Sequence, residues 1–388
     1  MIERGALAAR AGRITWVGRD DELPDAVTAT PDHATIDAGG RAVLPGLVDA
    51  HTHLVFAGDR AAEFTARLAG RPYTTGGIRT TVEATRAASA AELDALARAR
   101  LDTFLAHGVT TVEAKSGYGL TLEEERRLLR VAATVEHPVD VVRTFMGAHV
   151  VPAEYADDPD AYVDLVCDSM LPSIENLAEF VDVWCDEGAF TPAQTRRILR
   201  AARANGYSLK VHAEQLAHSG GAAVAAEFGA TSVEHLEHAT PEDAEALART
   251  GTIAVLLPGA SLMTGGRVAD ARMLLDSGVR VALSTDLNPG SSYSENLQLQ
   301  VALGCLSLRM TPEEAILGVT RNAAAALSRE GSIGSLRPGA GCDLVVLEAS
   351  SELDLAYHYG INLARIVVKG GRDPHETGSA GSPVGRGD

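Results

Sequence analysis

Five short apolar runs of this chain end on residues that can hold a metal ion. AVLPGLVDAH leads into His51-Thr52-His53, TFMGAH ends in His149, SLKVH in His212, SVEH in Glu234-His235 and VALSTD in Asp286. Residues i and i+2 of a strand share one face, so both imidazoles of the HxH pair can turn toward one ion. A lone histidine at a strand end is more often a hydrogen-bonded structural residue. Asp286, followed by Asn288-Pro289-Gly290, has the makings of a plain Asx-type turn. Five strand ends carrying such groups together outweigh those readings. Imidazoles, a carboxylate and an open position make a hydrolytic centre, in which the ion lowers the pKa of a water and polarises a scissile carbonyl. Zinc suits such ligands, and iron(II) nearly as well. His33, His107, His137, His218, His358 and His375 fall elsewhere and read as structural or surface residues. His238 begins a loop after His235 and reads as solvated or as support for the centre.

Bringing five strand ends to one place needs a regular scaffold. Eight strands are predicted, at residues 42–51, 108–115, 139–146, 180–187, 208–214, 229–236, 252–259 and 279–286, with helical stretches between most of them. The helix over 90–108 carries Leu93, Leu96, Ala97, Leu101, Phe104 and Leu105 as one apolar stripe, with Gly108 as its stop. Thr191 and Pro192 cap and open a second helix over 191–206. Eight strand–helix units in a row predict an α/β fold: a (β/α)8 TIM-type barrel over 42–330, with its chemistry at the C-terminal ends of the strands. An open doubly wound sheet would show a glycine-rich phosphate loop after the first strand, and HTHLVFAGDR has none. Residues 1–41 and 331–370 read as short strands and turns, which predicts one small β-sandwich-like domain built from both termini. Residues 371–388, rich in Gly, Ser and Pro, are predicted to be disordered.

The bulk composition narrows the partners. Of 388 residues, 46% are hydrophobic and 22% charged, enough apolar material for a large core. The net charge of -18 argues against nucleic acid and anionic membranes as partners and leaves a small-molecule substrate, for which a local Arg can override the global field. Cys167, Cys185, Cys305 and Cys342 have no CxxC spacing and read as free thiols in a reducing cytoplasm. The start lacks the pattern of a secretory signal, and no run of about 18 apolar residues is present.

Longer motifs carry a resemblance. PGLVDAHTH, HAEQ, VEHLEH, STDLNPGSS and SLRPGAGCDLVVL resemble the metal-dependent amidohydrolase superfamily. HTHLVFAGDRAAEF, EAKSGYGL, TFMGAHVVP, GTIAVLLPGAS, STDLNPGSS and AYHYGIN together resemble the imidazolonepropionase family of histidine degradation, over nearly the whole chain. The resemblance implies a cyclic amidohydrolase that opens 4-imidazolone-5-propanoate to N-formimidoyl-L-glutamate. It implies that His51, His53, His212 and Asp286 bind one zinc or iron ion per chain, that Asp286 is also the base toward the water, and that His235 stabilises the oxyanion. It places Arg60, Tyr118, His149, Gln215 and Ser291 on the substrate, and Asn288 and Gly290, with Tyr118, on the product. It implies a homodimer. The residues themselves agree with these roles. Arg60 can pair with a propanoate in a forked geometry, and Gly290-Ser291-Ser292 can offer backbone N–H groups to the carboxylate formed on ring opening. Taken singly, the bland readings are a surface arginine and a flexible loop.

Members of the superfamily with two ions carry a lysine on strand four, and FVDVWCDEGAF has none, so one ion is expected. Lys210 shares an inward face with His212, as Glu113 does with Lys115. A buried lysine needs a partner, and Lys210 with Glu113 beneath the metal is the expected pair; the alternative lets Lys210 reach solvent. Family members begin with further strands before the segment ALAARAGRITWVG, so the small domain is expected to lack a strand and expose an edge. Two rival functions compete. A mononuclear deaminase of an amino-heterocycle would carry Glu three residues after the strand-five histidine, where this chain has Gln215. An inactive assembly protein on the same scaffold would have lost ligands, and the set is complete. An amide at 215 can hold a ring by hydrogen bonds without ionising, which suits ring opening at a lactam carbonyl.

Overall fold

The computed structural model describes residues 2–28, 34–70 and 77–374; His33, His375 and most of the tail predicted to be disordered lie outside the described residues. Strands β1 (Gly5–Arg10) and β2 (Arg13–Arg19) form an antiparallel hairpin. Strand β3 (Val43–Pro45) leads directly toward the barrel. Eight parallel strands follow: β4 (Leu47–Asp49), β5 (Val109–Lys115), β6 (Asp140–Ala148), β7 (Phe180–Cys185), β8 (Ser208–Ala213), β9 (Ser232–His235), β10 (Ile253–Leu256) and β11 (Val281–Leu283). They hydrogen-bond side by side in sequence order. β12 (Leu344–Leu347) and β13 (Ala364–Val368) join β3 in a three-stranded antiparallel sheet, order β13-β12-β3.

The stretch 42–51, expected as one strand, is two strands in two different sheets. Pro45 has no N–H with which to continue a ladder. Gly46 passes so close to β5 that an added Cβ would sit 2.3 Å from Thr110 Oγ1. The chain therefore changes sheets at Pro45-Gly46, and the Gly46 N–H donates to Asp343 of the small sheet at 2.8 Å.

The two ends of the chain meet as the sequence predicts. Ile14 packs with Ala340, Cys342, Leu344, Val346 and Val368, and its backbone N–H donates to Ala340 at 2.9 Å. The helix Ala90–Ala106 starts in a capping box of Ser89 with Glu92. Leu93, Ala97, Leu101, Phe104 and Leu105 are buried against the barrel, but Leu96, counted in the same stripe, is 37% exposed. The buried stripe is narrower than the apolar spacing, because only one face of the helix meets the strands. Thr191 closes a second capping box with Gln194, and Pro192 opens that helix. The four cysteines are free thiols. Among the described residues no helix is long and apolar enough to cross a membrane.

The barrel closes beyond the ends of its strands. No ladder joins β11 to β4; the seam is made by the residues that follow them. Asp286 N–H donates to His51 O at 3.1 Å, His53 N–H to Leu287 O at 2.9 Å and Ala50 N–H to Ser284 Oγ at 3.0 Å. The backbone that shuts the cylinder thus holds His51, His53 and Asp286 side by side.

Candidate active site

Four imidazoles and one carboxylate meet at the C-terminal mouth. The ring centroids of His51 and His212 are 4.4 Å apart, those of His51 and His53 5.6 Å, and those of His212 and His235 5.3 Å. Asp286 Oδ1 lies 3.3 Å from His51 Nε2 and 3.8 Å from His53 Nε2. All five side chains are buried. His235 (φ +77°) and Asp286 (φ +53°) have left-handed backbones, a conformation that costs a non-glycine residue about 1 kcal/mol or more. That strain turns each chain sharply at its strand end.

The donor set fits a divalent cation. Nδ1 of His53, Nε2 of His212 and Nδ1 of His235 are buried without a hydrogen-bond partner among the described residues, while both ring nitrogens of His51 face carboxylates. Ligand atoms of His51, His53 and Asp286, and separately of His51, His212 and His235, lie within 4.8 Å of one another. Burial, reinforced by neighbouring cationic groups, holds His53 and His212 well below the ordinary imidazole range, so both are neutral. Burial acts the same way on His51, but Glu234 outweighs it and raises the ring to about 9, so an ion bound there would displace the ring's Nε2 proton. Asp286 stays ionised: burial favours its acid form, and the hydrogen bond and charge of His51 overcome that.

A layer of buried charge lies under the mouth. Lys210 Nζ stands 3.0 Å from Glu113 Oε1 and 3.4 Å from Glu234 Oε1, with both residues fully buried. The expected pair is present, and Lys210 does not reach solvent. The sequence did not disclose the hub beside it. Lys115 Nζ contacts Asp182 at 2.6 Å, Glu113 at 2.9 Å and Glu234 at 3.0 Å. Asp182 and Glu234 then approach the Nδ1 atoms of His212 (3.0 Å) and His51 (2.9 Å). Carboxylates at Nδ1 fix the tautomer and turn Nε2 toward the mouth.

A pocket opens above, lined by His53, His212, His235 and Asp286 together with Arg60, Tyr118, His149, Gln215, Asn288 and Ser291. His51 lies beneath it. Ile78 and Trp184, not singled out in the sequence, also line the wall, and the Trp184 indole N–H is buried without an acceptor among the described residues. His149 Nδ1 lies 3.0 Å from the Gly117 carbonyl, and burial lowers its pKa to about 4, so it is a neutral ring with Nδ1–H donating. Two acids, Glu125 and Asp186, build the loops. Glu125 accepts backbone N–H bonds from Gly117, Gly119 and Leu120 and so shapes the turn that carries Tyr118. Asp186 accepts those of Gln215, Leu216 and Ala217. Neither has a sequence signal beyond being an acid near a glycine-rich turn.

One expectation is corrected. The N–H groups of Gly290 and Ser291, expected as open donors, both donate to Asn288 Oδ1 at 2.8 Å. Asn288 Nδ2 donates in turn to the Asp286 carbonyl and to Ser291 Oγ, and Ser291 Oγ donates to Asp286 Oδ2 at 2.9 Å. A side-chain amide folded back onto its own turn satisfies these groups locally. Asn288 and Ser291 therefore hold Asp286 in place, and Gly290 packs behind Arg60.

A parallel eight-stranded barrel with a histidine and aspartate cluster at its C-terminal mouth defines the class of metal-dependent barrel hydrolases. Residues 42–373 match the amidohydrolase family. A solved structure of 5-methylcytosine deaminase from Klebsiella pneumoniae shares the fold, with a TM-score of 0.76 at 17% identity over 95% of this chain and 93% of that one. The imidazolonepropionase of Geobacillus thermodenitrificans is 48% identical over 96% of this chain and 90% of its own, and that of Streptomyces avermitilis 49% identical over 96% and 87%. The chain belongs to the amidohydrolase family and, within it, to the imidazolonepropionases.

Proposed function

We propose that this chain hydrolyses the cyclic amide of 4-imidazolone-5-propanoate to N-formimidoyl-L-glutamate, using one zinc or iron ion held by His51, His53, His212 and Asp286. One observation carries the reading: the cavity has the histidine and aspartate cluster at its floor and the Arg60 cation on its wall. That pairs a centre for carbonyl hydrolysis with a group that binds a carboxylate. The relatives named above support the substrate, and the imidazole and carboxylate donors suit either metal. The four free thiols support a reducing, cytoplasmic setting, and the family resemblance supports a homodimer.

When bound, the ion supplies Lewis acidity, lowering the pKa of water and polarising the ring carbonyl. The protein does the rest. Arg60 pairs with the propanoate, while Tyr118, His149 and Gln215 hold the ring over the floor. Asp286, kept ionised and steered by Ser291, takes a proton from water as its oxygen bonds to the carbonyl carbon. His235 hydrogen-bonds the oxyanion. As the bond from that carbon to the ring nitrogen breaks, Asp286 delivers the proton to the departing amidine nitrogen. The test is the loss of imidazolone ultraviolet absorbance with the purified, metal-loaded protein. Ammonia release from an aminopyrimidine, without imidazolone turnover, would replace this reading with a deaminase.

A further inference from the structure

Arg60 is gripped more firmly than an ordinary ion pair would grip it. Its Nε and Nη2 donate to Glu63 Oε2 at 2.8 Å and Oε1 at 2.7 Å, the two parallel bonds of a forked pair. Arg67 braces the arrangement, with Nη1 3.3 Å from Glu63 Oε1 and donating to the Gly290 carbonyl at 2.8 Å. Two glycines then close on the guanidinium. A Cβ on Gly77 would sit 1.9 Å from Glu63 Oε2 and 2.2 Å from Arg60 Nη2; one on Gly290 would sit 2.1 Å from Arg60 Nη1. The Arg60 side chain is 2% exposed. An arginine ordinarily adapts to a ligand through its rotatable stem. This one cannot swing without breaking two charge-assisted bonds or striking backbone.

We propose that Glu63, with Gly77 and Gly290, makes Arg60 a fixed ruler that selects ligands whose carboxylate stands two methylenes from a five-membered ring. This rests on the reading that Arg60 receives the propanoate. The histidine and aspartate cluster fixes the ring end of the ligand; the Arg60 fork itself is taken by Glu63, and the carboxylate end meets the pocket-facing edge of the guanidinium so held. The span between the two anchors is therefore set by the protein. A chain one methylene shorter leaves the carboxylate short of the guanidinium, and one methylene longer must buckle or push the ring off the floor. Glu63 is a positioning residue here and acts through Arg60.

Competitive inhibition of the metal-loaded enzyme by imidazole-4-acetate, imidazole-4-propanoate and imidazole-4-butanoate tests the proposal, because the ring contact is common to all three. The propanoate is expected to bind tightest, by about tenfold over each neighbour, the usual worth of one methylene. Glu63→Gln should bring the three within about threefold of one another, with metal content unchanged. Gly77→Ala, which displaces the same carboxylate, should flatten the series likewise and decides the matter if Glu63→Gln fails to fold. A parent enzyme with no length preference overturns the ruler. So do variants that keep the parental ratios, or that weaken all three ligands equally. Arg60→Met separates the two levels. If it flattens the series while Glu63→Gln does not, the ruler alone fails; if it too keeps the ratios, Arg60 does not hold the carboxylate.

Discussion

Lys115→Met is the perturbation on which the buried charge layer makes its strongest demand. The layer holds two cations, Lys115 and Lys210, against three anions, Glu113, Asp182 and Glu234, a net charge of -1 if all are ionised. Methionine keeps the stem and takes the net charge to -2, leaving three carboxylates around one lysine with no water to screen them. Breaking a buried pair from one side costs about 3–5 kcal/mol. A chain of 388 residues has an unfolding entropy near 0.8 kcal/mol/K, so the melting temperature should fall by about 4–6 °C. The damage should also reach the metal. Asp182 and Glu234 set the tautomers of His212 and His51, and loss of such support weakens metal affinity by about 10–100-fold. Calorimetry and metal competition against a chromophoric chelator read the two effects. Adding Glu113→Gln returns the net charge to -1 and should recover part of the melting temperature. Burial alone would lower the Lys115 pKa, yet Asp182, Glu113 and Glu234 raise it, so its stabilisation is complete below about pH 10.5 and is lost as pH rises through the folded value. The gap between parent and variant should therefore close in strong alkali. A variant that melts within about 1 °C of the parent and holds its metal as tightly would refute the reasoning.

Four further outcomes are expected. Asp286→Asn removes the proton acceptor and should cut kcat by about 10²-fold or more, measured as imidazolone turnover at equal metal content. Gln215→Glu should keep measurable hydrolysis, while Gln215→Ala should mainly raise KM; full activity in the alanine variant would make the residue a bystander. Glu125→Ala strands three backbone N–H groups and should lower stability by about 2–4 kcal/mol while raising KM through the displaced Tyr118 turn. Cys185 is fully buried, and burial pushes its thiol up to about 11, so iodoacetamide at pH 8 should label Cys167 and Cys305 first and leave Cys185 intact by mass spectrometry.

Much of the candidate site was legible because its residues obey local rules. A period of two places His51 and His53 on one face, and strand ends in a parallel barrel share one mouth. Lys210 was readable as an inward residue from its spacing to His212, and its need of a partner pointed to Glu113. Lys115 as a hub was not, because its contacts to Asp182 and Glu234 join strands β5, β7 and β9 across the interior, far apart in sequence. The turn after Asp286 was misread for a related reason. Gly290 and Ser291 look like open donors until Asn288 is seen folding back to take them.

The sequence by itself determined the barrel, the order in which histidines and the aspartate reach its mouth, and the chemical class of the centre, because strand period, helix caps and residue type act within a few neighbours. Only the tertiary structure decided how β4 and β11 close through the loops that carry His51, His53 and Asp286, which acids orient the imidazoles, and how two glycines and Glu63 clamp Arg60. Those outcomes depend on the distances left between segments once the cylinder has shut, and no local rule contains them.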